Sequence, residues 1–248
     1  MPRFDAVLFD YGHTVVDLQR PRSHLLKAYH QINQRLEREL QRSIPQAADL
    51  LVAVSEKVDD DIGDSYRTGS EQEVDIADLY RTALRTIGIS CPEETLEWVI
   101  DQEQVAWFNG ILPSPHARPV LLHLRQEGVK TAIVSNAAFP PRSMRDQLRH
   151  LELFDLFDAT VYSSEVGIRK PNPAIYEAAL GLVGVAPQRA LFIGDRMRED
   201  VRGPRGVGME AVLTHEFRQE TPAAGVEVEI LEDLRPLLAL VGVLRPEA

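Results

Sequence analysis

The chain holds one cysteine, Cys91. No intrachain disulfide can form, and a cysteine-built metal cluster is excluded. Positive charge is also short. Lys and Arg number 27 against 38 Asp and Glu, for a formal net charge of -11 at pH 7. Such a chain lacks the clustered cations that nonspecific binding to nucleic acid or an acidic membrane surface needs. Anionic small molecules stay open as ligands, because one metal ion or a few cations can dominate a single pocket. Long apolar runs are missing too. None approaches the ~20 residues of a membrane span, and the first residues meet Asp5 without a signal-like apolar stretch. A cytoplasmic protein is expected, with no nucleic-acid or membrane partner, as a monomer or homodimer.

Apolar residues make up 44% of the 248, ample for the core of one large or two modest domains. Their spacing changes twice along the chain. Ala6 to Asp10 opens with a short continuous apolar run, the pattern of a strand buried on both faces. Residues 22–41 then repeat at helical spacing through Leu25, Tyr29, Ile32, Leu36 and Leu40. Further helices are predicted over 47–62, over 74–87 and after Pro92, a residue suited to a first helical turn. The polar stretch "GDSYRTGSEQE", 63–73, reads as a loop. Residues 18–112 therefore form a helical block.

The Pro-rich "LPSPHARP", 112–119, marks its end. Beyond it, helices over 120–127, 142–151 and 173–183 alternate with strands over 130–134, 159–162 and 190–193. Short strands follow at 210–213 and 227–230, then a helix over 231–241. Alternation of this kind means a parallel sheet with helices on both faces. The economical picture is a discontinuous α/β core, residues 1–17 and 113–248, with the helical block inserted after its first strand.

In open α/β sheets the ligand site lies beyond the carboxyl ends of the strands. Residues just past each strand are therefore the candidates. They are Asp10, then Ser135 with Asn136, then Lys170, then Asp195 and Asp200. Clustered carboxylates suit a hard cation such as Mg²⁺. A lysine and a hydroxyl donate to an anion. Together they suit phosphoryl transfer, which is mostly positioning and charge neutralisation.

In this order the motifs resemble those of the haloacid dehalogenase-like superfamily, over the whole chain. "FDYGHT" stands where the family has D-x-D-x-T, and "VSNA" carries Ser135 of the second motif. "RKPNPAIYEAAL" carries Lys170 of the third, and "FIGDRMRED" matches G-D-x-x-x-x-D with Asp195 and Asp200. The resemblance implies a doubly wound, Rossmann-like parallel sheet core with an all-helical cap domain. It also implies a hydrolase acting on a small phosphorylated metabolite. Asp10 would attack phosphorus and form an aspartyl-phosphate. Ser135 and Lys170 would hold the phosphoryl oxygens. Asp10, the backbone carbonyl of Gly12, Asp195 and Asp200 would hold Mg²⁺. Thr14 and Asn136 would support the loops.

One position departs. The family's phosphatases carry a second aspartate as general acid and base where this chain has Gly12. Such a group typically contributes 10²–10⁴-fold. Three readings are open: a narrow phosphatase assisted by His13 or another group, a different reaction of the superfamily, or a phosphate-binding regulatory protein. Dehalogenases do not need the metal-type fourth motif kept here. Phosphonate C–P hydrolases use a cap lysine, and this block has only Lys27 and Lys57. Lys57, among four acids, reads as a solvated helix face. His13 reads first as a loop-packing residue, Arg196 and Arg198 as surface ion-pair residues, and Trp98 and Trp107 as core or cap-interface residues.

Overall fold

The computed structural model describes residues 2–243. Residue 1 and residues 244–248, part of the expected core range, lie outside the described residues. The first strand, β1 (Ala6–Phe9), has no exposed residue. It is followed by β2 (Val16–Leu18) and the helices α1 (Arg22–Leu40), α2 (Ala47–Leu51), α3 (Lys57–Arg67), α4 (Ile76–Thr86) and α5 (Glu93–Trp107). Then come β3 (Ile111–Pro113), α6 (Ala117–Gln126), β4 (Lys130–Ser135), α7 (Pro141–His150), β5 (Ala159–Tyr162), α8 (Ser163–Val166) and α9 (Pro173–Val183). The chain continues through β6 (Ala190–Gly194), α10 (Gly203–Gly206), β7 (Glu210–Thr214), β8 (Ile230–Leu231) and α11 (Leu237–Val241).

Six parallel strands form one sheet in the order β5-β4-β1-β6-β7-β8. The direction of winding reverses beside β1, so the switch point lies at the end of β1, between β4 and β6. Alternate residues of β1 serve the two faces. Val7 and Phe9 join the apolar layer that includes Leu121, Leu124, Leu148 and Val241. Ala6 and Leu8 join the opposite layer, with Ile175, Tyr176 and Ala179. Burial on both faces is what an uninterrupted apolar strand requires.

The helices α1 to α5 have an apolar core of their own, centred on Leu25, Tyr29, Ile32, Val54, Val58, Tyr80 and Val99. Within it sits one carboxylate, fully buried Glu103. Its oxygens accept from the Tyr29 hydroxyl at 2.7 Å and from Ser55 Oγ at 2.6 Å. A buried charge needs such partners.

Several boundaries differ from the sequence expectation. The expected loop 63–73 begins late, because α3 runs on to Arg67. Val54, Val58, Ile62 and Tyr66 recur at intervals of four, and the helix follows them through Gly63. Between α2 and α3 the backbone is wound one residue wider, as a π-helix over Val52–Glu56. The expected helix 120–127 starts at Ala117 and takes Pro119 into its first turn, where the missing N–H has no intrahelical partner to lose. The expected strand 227–230 is reduced to Ile230–Leu231, and the helix expected over 231–241 starts only at Leu237, after Pro236.

An antiparallel ribbon had no counterpart in the sequence pattern. Val16–Leu18 pairs with Ile111–Pro113, so the two crossings between sheet and helical block are hydrogen-bonded to each other. The Gln19 N–H extends the ladder to the Gly110 carbonyl at 2.7 Å. A Cβ at Gly110 would overlap the Gln19 carbonyl oxygen and press on Pro21. Gly110→Ala is therefore expected to lower stability by about 1–3 kcal/mol, the usual cost of overpacking. Urea denaturation measures it, and an unchanged midpoint would contradict this account of the crossing.

Candidate active site

Asp10 follows β1, and its N–H is fixed to the Ile193 carbonyl at 2.9 Å. The chain then turns sharply. The Val15 and Val16 N–H groups both return to the Tyr11 carbonyl, at 3.0 and 3.1 Å, and the His13 N–H donates to the Val16 carbonyl at 2.6 Å. His13 carries the left-handed backbone of this turn, with φ 60°. Gly12 does not, so no strain demands glycine there. A Cβ at Gly12 would lie 3.0 Å from Cδ1 of Leu18.

Lys170 is the centre of the site. Its buried ammonium donates to Asp10 Oδ1 at 2.6 Å and to Asp200 Oδ1 at 2.7 Å. Burial works against that charge, but the Asp10 and Asp200 carboxylates outweigh it and hold the ammonium well above the ordinary lysine range. Asn136 grips the backbone of the same residue twice. Its Oδ1 accepts from the Lys170 N–H at 2.7 Å, and its Nδ2 donates to the Lys170 carbonyl at 3.1 Å. Ser135, the last residue of β4, is buried and lines the same cavity.

Asp195 and Asp200 follow β6. Gly194 makes room for Asp200, because a Cβ there would overlap the Asp200 carboxylate. Asp200 Oδ2 accepts from the Arg196 N–H at 2.9 Å. Asp10, Asp195 and Asp200 each present a carboxylate oxygen, all within 4.8 Å of one another. Burial, reinforced by the charges of Asp10 and Asp200, pushes the Asp195 carboxyl up to about 8. Burial likewise pushes Asp200 up to about 6, against the pull of Lys170. Both shifts mean that full ionisation of the three acids is disfavoured without a further cation. An all-oxygen set of buried acids in that condition fits a hard divalent cation.

The expected residues therefore converge, but not in equal roles. Thr14 is buried with its hydroxyl unpartnered. His13 lines the cavity with Nδ1 3.4 Å from Asp17 Oδ1. Arg198 is an exposed ion-pair residue, 3.6 Å from Glu199. Trp98 packs on the helical core under the Arg35 guanidinium, whereas Trp107 both packs there and lines the cavity. Lys57 pairs with Asp61 on the surface, and neither it nor Lys27 lines the cavity.

Two contributors escaped the sequence pattern. Arg218 forms an ion pair with Asp195. It lies four residues past the end of β7, so reading strand ends one strand further would have reached it. The second is Arg169, fully buried beside Lys170. It reaches into the helical block. Its Nε donates to Glu73 Oε1 at 2.8 Å, its guanidinium donates to Ser65 Oγ at 2.9 Å, and it lies 4.0 Å from the Tyr66 ring centroid. The backbone joins in. The Arg169 N–H donates to the Glu71 carbonyl at 2.6 Å, and the Glu73 N–H to the Gly167 carbonyl at 3.0 Å. The Ser163 hydroxyl also donates to Glu73. The Lys170 loop is thereby bonded to the segment between α3 and α4.

With this geometry the comparisons agree. The profile of the family described as "haloacid dehalogenase-like hydrolase" matches residues 4–208. The chain belongs to that family. Among curated relatives, a glyceraldehyde 3-phosphate phosphatase of Methanothermobacter thermautotrophicus is 31% identical over 52% of this chain and 59% of its own. A phosphoserine phosphatase of Thermus thermophilus is 36% identical over 49% of this chain and 48% of its own. The chain thus spans about half the length of the curated relatives it matches. Among solved structures, a 2-haloacid dehalogenase from Pseudomonas syringae superposes with a TM-score of 0.64 at 20% identity, covering 96% of this chain and 98% of that one. A HAD phosphatase from Thermococcus onnurineus gives 0.60 at 24%, covering 98% and 100%. These two likenesses concern the fold.

Removing one partner of a buried ion pair leaves an uncompensated charge, at about 3–5 kcal/mol. Glu73→Ala is expected to destabilise this hydrolase by that amount, read by chemical denaturation. A loss below about 1 kcal/mol would mean that the Arg169 contact contributes only as a surface pair does.

Proposed function

We propose that the chain is a Mg²⁺-dependent phosphatase of a small phosphorylated metabolite, working through an aspartyl-phosphate at Asp10. The observation that carries this reading is Lys170 bridging Asp10 and Asp200, with Asp195 beside them. Lys170 occupies Oδ1 of Asp10 and leaves the other carboxylate oxygen for attack. As that oxygen bonds to phosphorus, the phosphorus–leaving-oxygen bond breaks and its electron pair departs with the leaving group. Ser135 and Lys170 would hold the phosphoryl oxygens during transfer. Water then attacks phosphorus, the bond from phosphorus to the Asp10 oxygen breaks with its electron pair returning to the carboxylate, and the water's proton leaves on the phosphate or to solvent.

Asp10, the Gly12 carbonyl, Asp195 and Asp200 would hold Mg²⁺, which supplies neutralisation of charge on the phosphoryl group. In this reading residues 18–112 act as a cap over a core formed by 1–17 and 113–248. The Arg169–Glu73 contact would couple cap position to the Lys170 loop. The C–P hydrolase alternative needs a lysine in a dry pocket, and Lys27 and Lys57 both lie away from the cavity. A C–halogen reaction leaves the carboxylate cluster without a task.

Asp10→Asn and Asp195→Asn are each expected to cut Mg²⁺-dependent phosphate release from an activated ester by about 10³-fold or more. Asp10→Asn at full rate would refute the covalent step. Gly12→Asp combined with Leu18→Ala, which opens room for the carboxylate, is expected to raise turnover of alkyl phosphates by about 10²-fold. The alkyl-to-aryl rate ratio, measured beside Leu18→Ala alone, reads out that gain.

A further inference from the structure

The cavity next to the carboxylates, about 540 Å³ in volume, is walled mainly by apolar side chains from both layers, with Gln104 and Gln147 set among them. The sheet layer gives Phe139 and Met144, the ribbon Leu18 and Ile111, and the helices Ile62 and Trp107. Among the described residues, the helical block adds one charged lining side chain, Arg67, which is exposed and paired with Asp64. The other cationic side chains that line the cavity, Lys170, Arg196 and Arg218, belong to the carboxylate end or its flanking loops.

We propose that the substrate is an aryl phosphate: an apolar, flat leaving group released through a phenol-type oxygen. This inference rests on the phosphoryl-transfer reading of Asp10 and names the substrate class for it. Two independent observations meet in it. The first is the wall. A polyol or sugar would set more hydroxyls against it than the free Gln104 and Trp107 N–H groups can pair, and each one left unpaired costs about 1–3 kcal/mol. An aromatic ring meets no such cost and gains from burial.

The second is the way Gly12 is filled. Leu18 Cδ1 lies 3.0 Å from where a Cβ at position 12 would stand. No proton-donating side chain stands at position 12, and the part-exposed tip of Leu18 presents hydrocarbon beside it. A leaving oxygen beside position 12 gets no proton from that side chain and departs best as the anion. A phenol ionises near pH 10, as tyrosine does, whereas an alkanol, like water, ionises only far above that. The phenolate accepts the electron pair of the broken P–O bond and takes its proton from solvent afterwards. Water supplies the oxygen for hydrolysis of the aspartyl-phosphate. The missing acid and the apolar wall thus select the same class of ester.

Four esters assayed with the full-length wild-type protein and Mg²⁺ test this. Phenyl phosphate has the ring and the good leaving group, and benzyl phosphate the ring with an alkoxide. Acetyl phosphate has a good leaving group without the ring, and glycerol 2-phosphate has neither. Phenyl phosphate is expected to show a KM about tenfold below that of acetyl phosphate, from burial of the ring. Benzyl phosphate is expected to compete with it at similar concentration and to turn over about 10²-fold more slowly. Equal KM values for phenyl and acetyl phosphate would overturn the apolar subsite. Benzyl phosphate or glycerol 2-phosphate turned over as fast as phenyl phosphate would overturn the phenol-type leaving group. In either case hydrolysis of acetyl phosphate would leave the phosphoryl-transfer reading standing. Inertness toward acetyl phosphate itself would sink that reading, and this inference with it.

Discussion

One buried ammonium among three carboxylates is the constraint on which this site depends. Asp10, Asp195 and Asp200 lie where water is scarce, and like charges so placed repel strongly. Lys170 touches two of them and Arg218 the third. A buried cation can do this only where its own backbone is held, because a shift of one ångström would strand both partners. Asn136 supplies that hold from the end of β4. The neighbouring strands β4, β1 and β6 thus each place one part of the arrangement. The parallel order of the sheet is what brings the three ends to one edge.

The rigidity extends outward through the adjacent residue. Arg169 is as buried as any apolar side chain, yet its partners belong to the helical block. The Lys170 loop is therefore not an isolated feature of the sheet. Its conformation and the position of the segment carrying Glu71 and Glu73 are set together, by backbone bonds as well as by the ion pair.

Much of this was legible in the sequence, and the reasons are physical. The strand β5 and the helix α9 fall where the apolar spacing places them, and Asp10 and Asp195 stand directly past β1 and β6, with Asp200 shortly after and Lys170 further on, beyond β5 and α8. Position after a strand is informative because a parallel sheet aligns its carboxyl ends. Contacts between distant segments left no such trace. Glu73 sits in a polar stretch whose composition says only loop, and its partner Arg169 lies 96 residues away. The π-wound turn at Val52–Glu56 changes no residue type. The ribbon of Val16–Leu18 with Ile111–Pro113 joins two three-residue segments, too short for any periodicity. Trp107 was legible as a packing residue but not as a cavity wall, because helical spacing assigns a face and not its far neighbour.

That ribbon constrains motion. Two separate crossings would let one layer swing and twist freely over the other, like a ball in a socket. Laced together, neither strand can move independently of the other without breaking the ladder. Leu18 is the end of one of these strands, and it also plugs the space beside Gly12. The side chain that crowds position 12 is therefore held in place by the pairing of the two crossings.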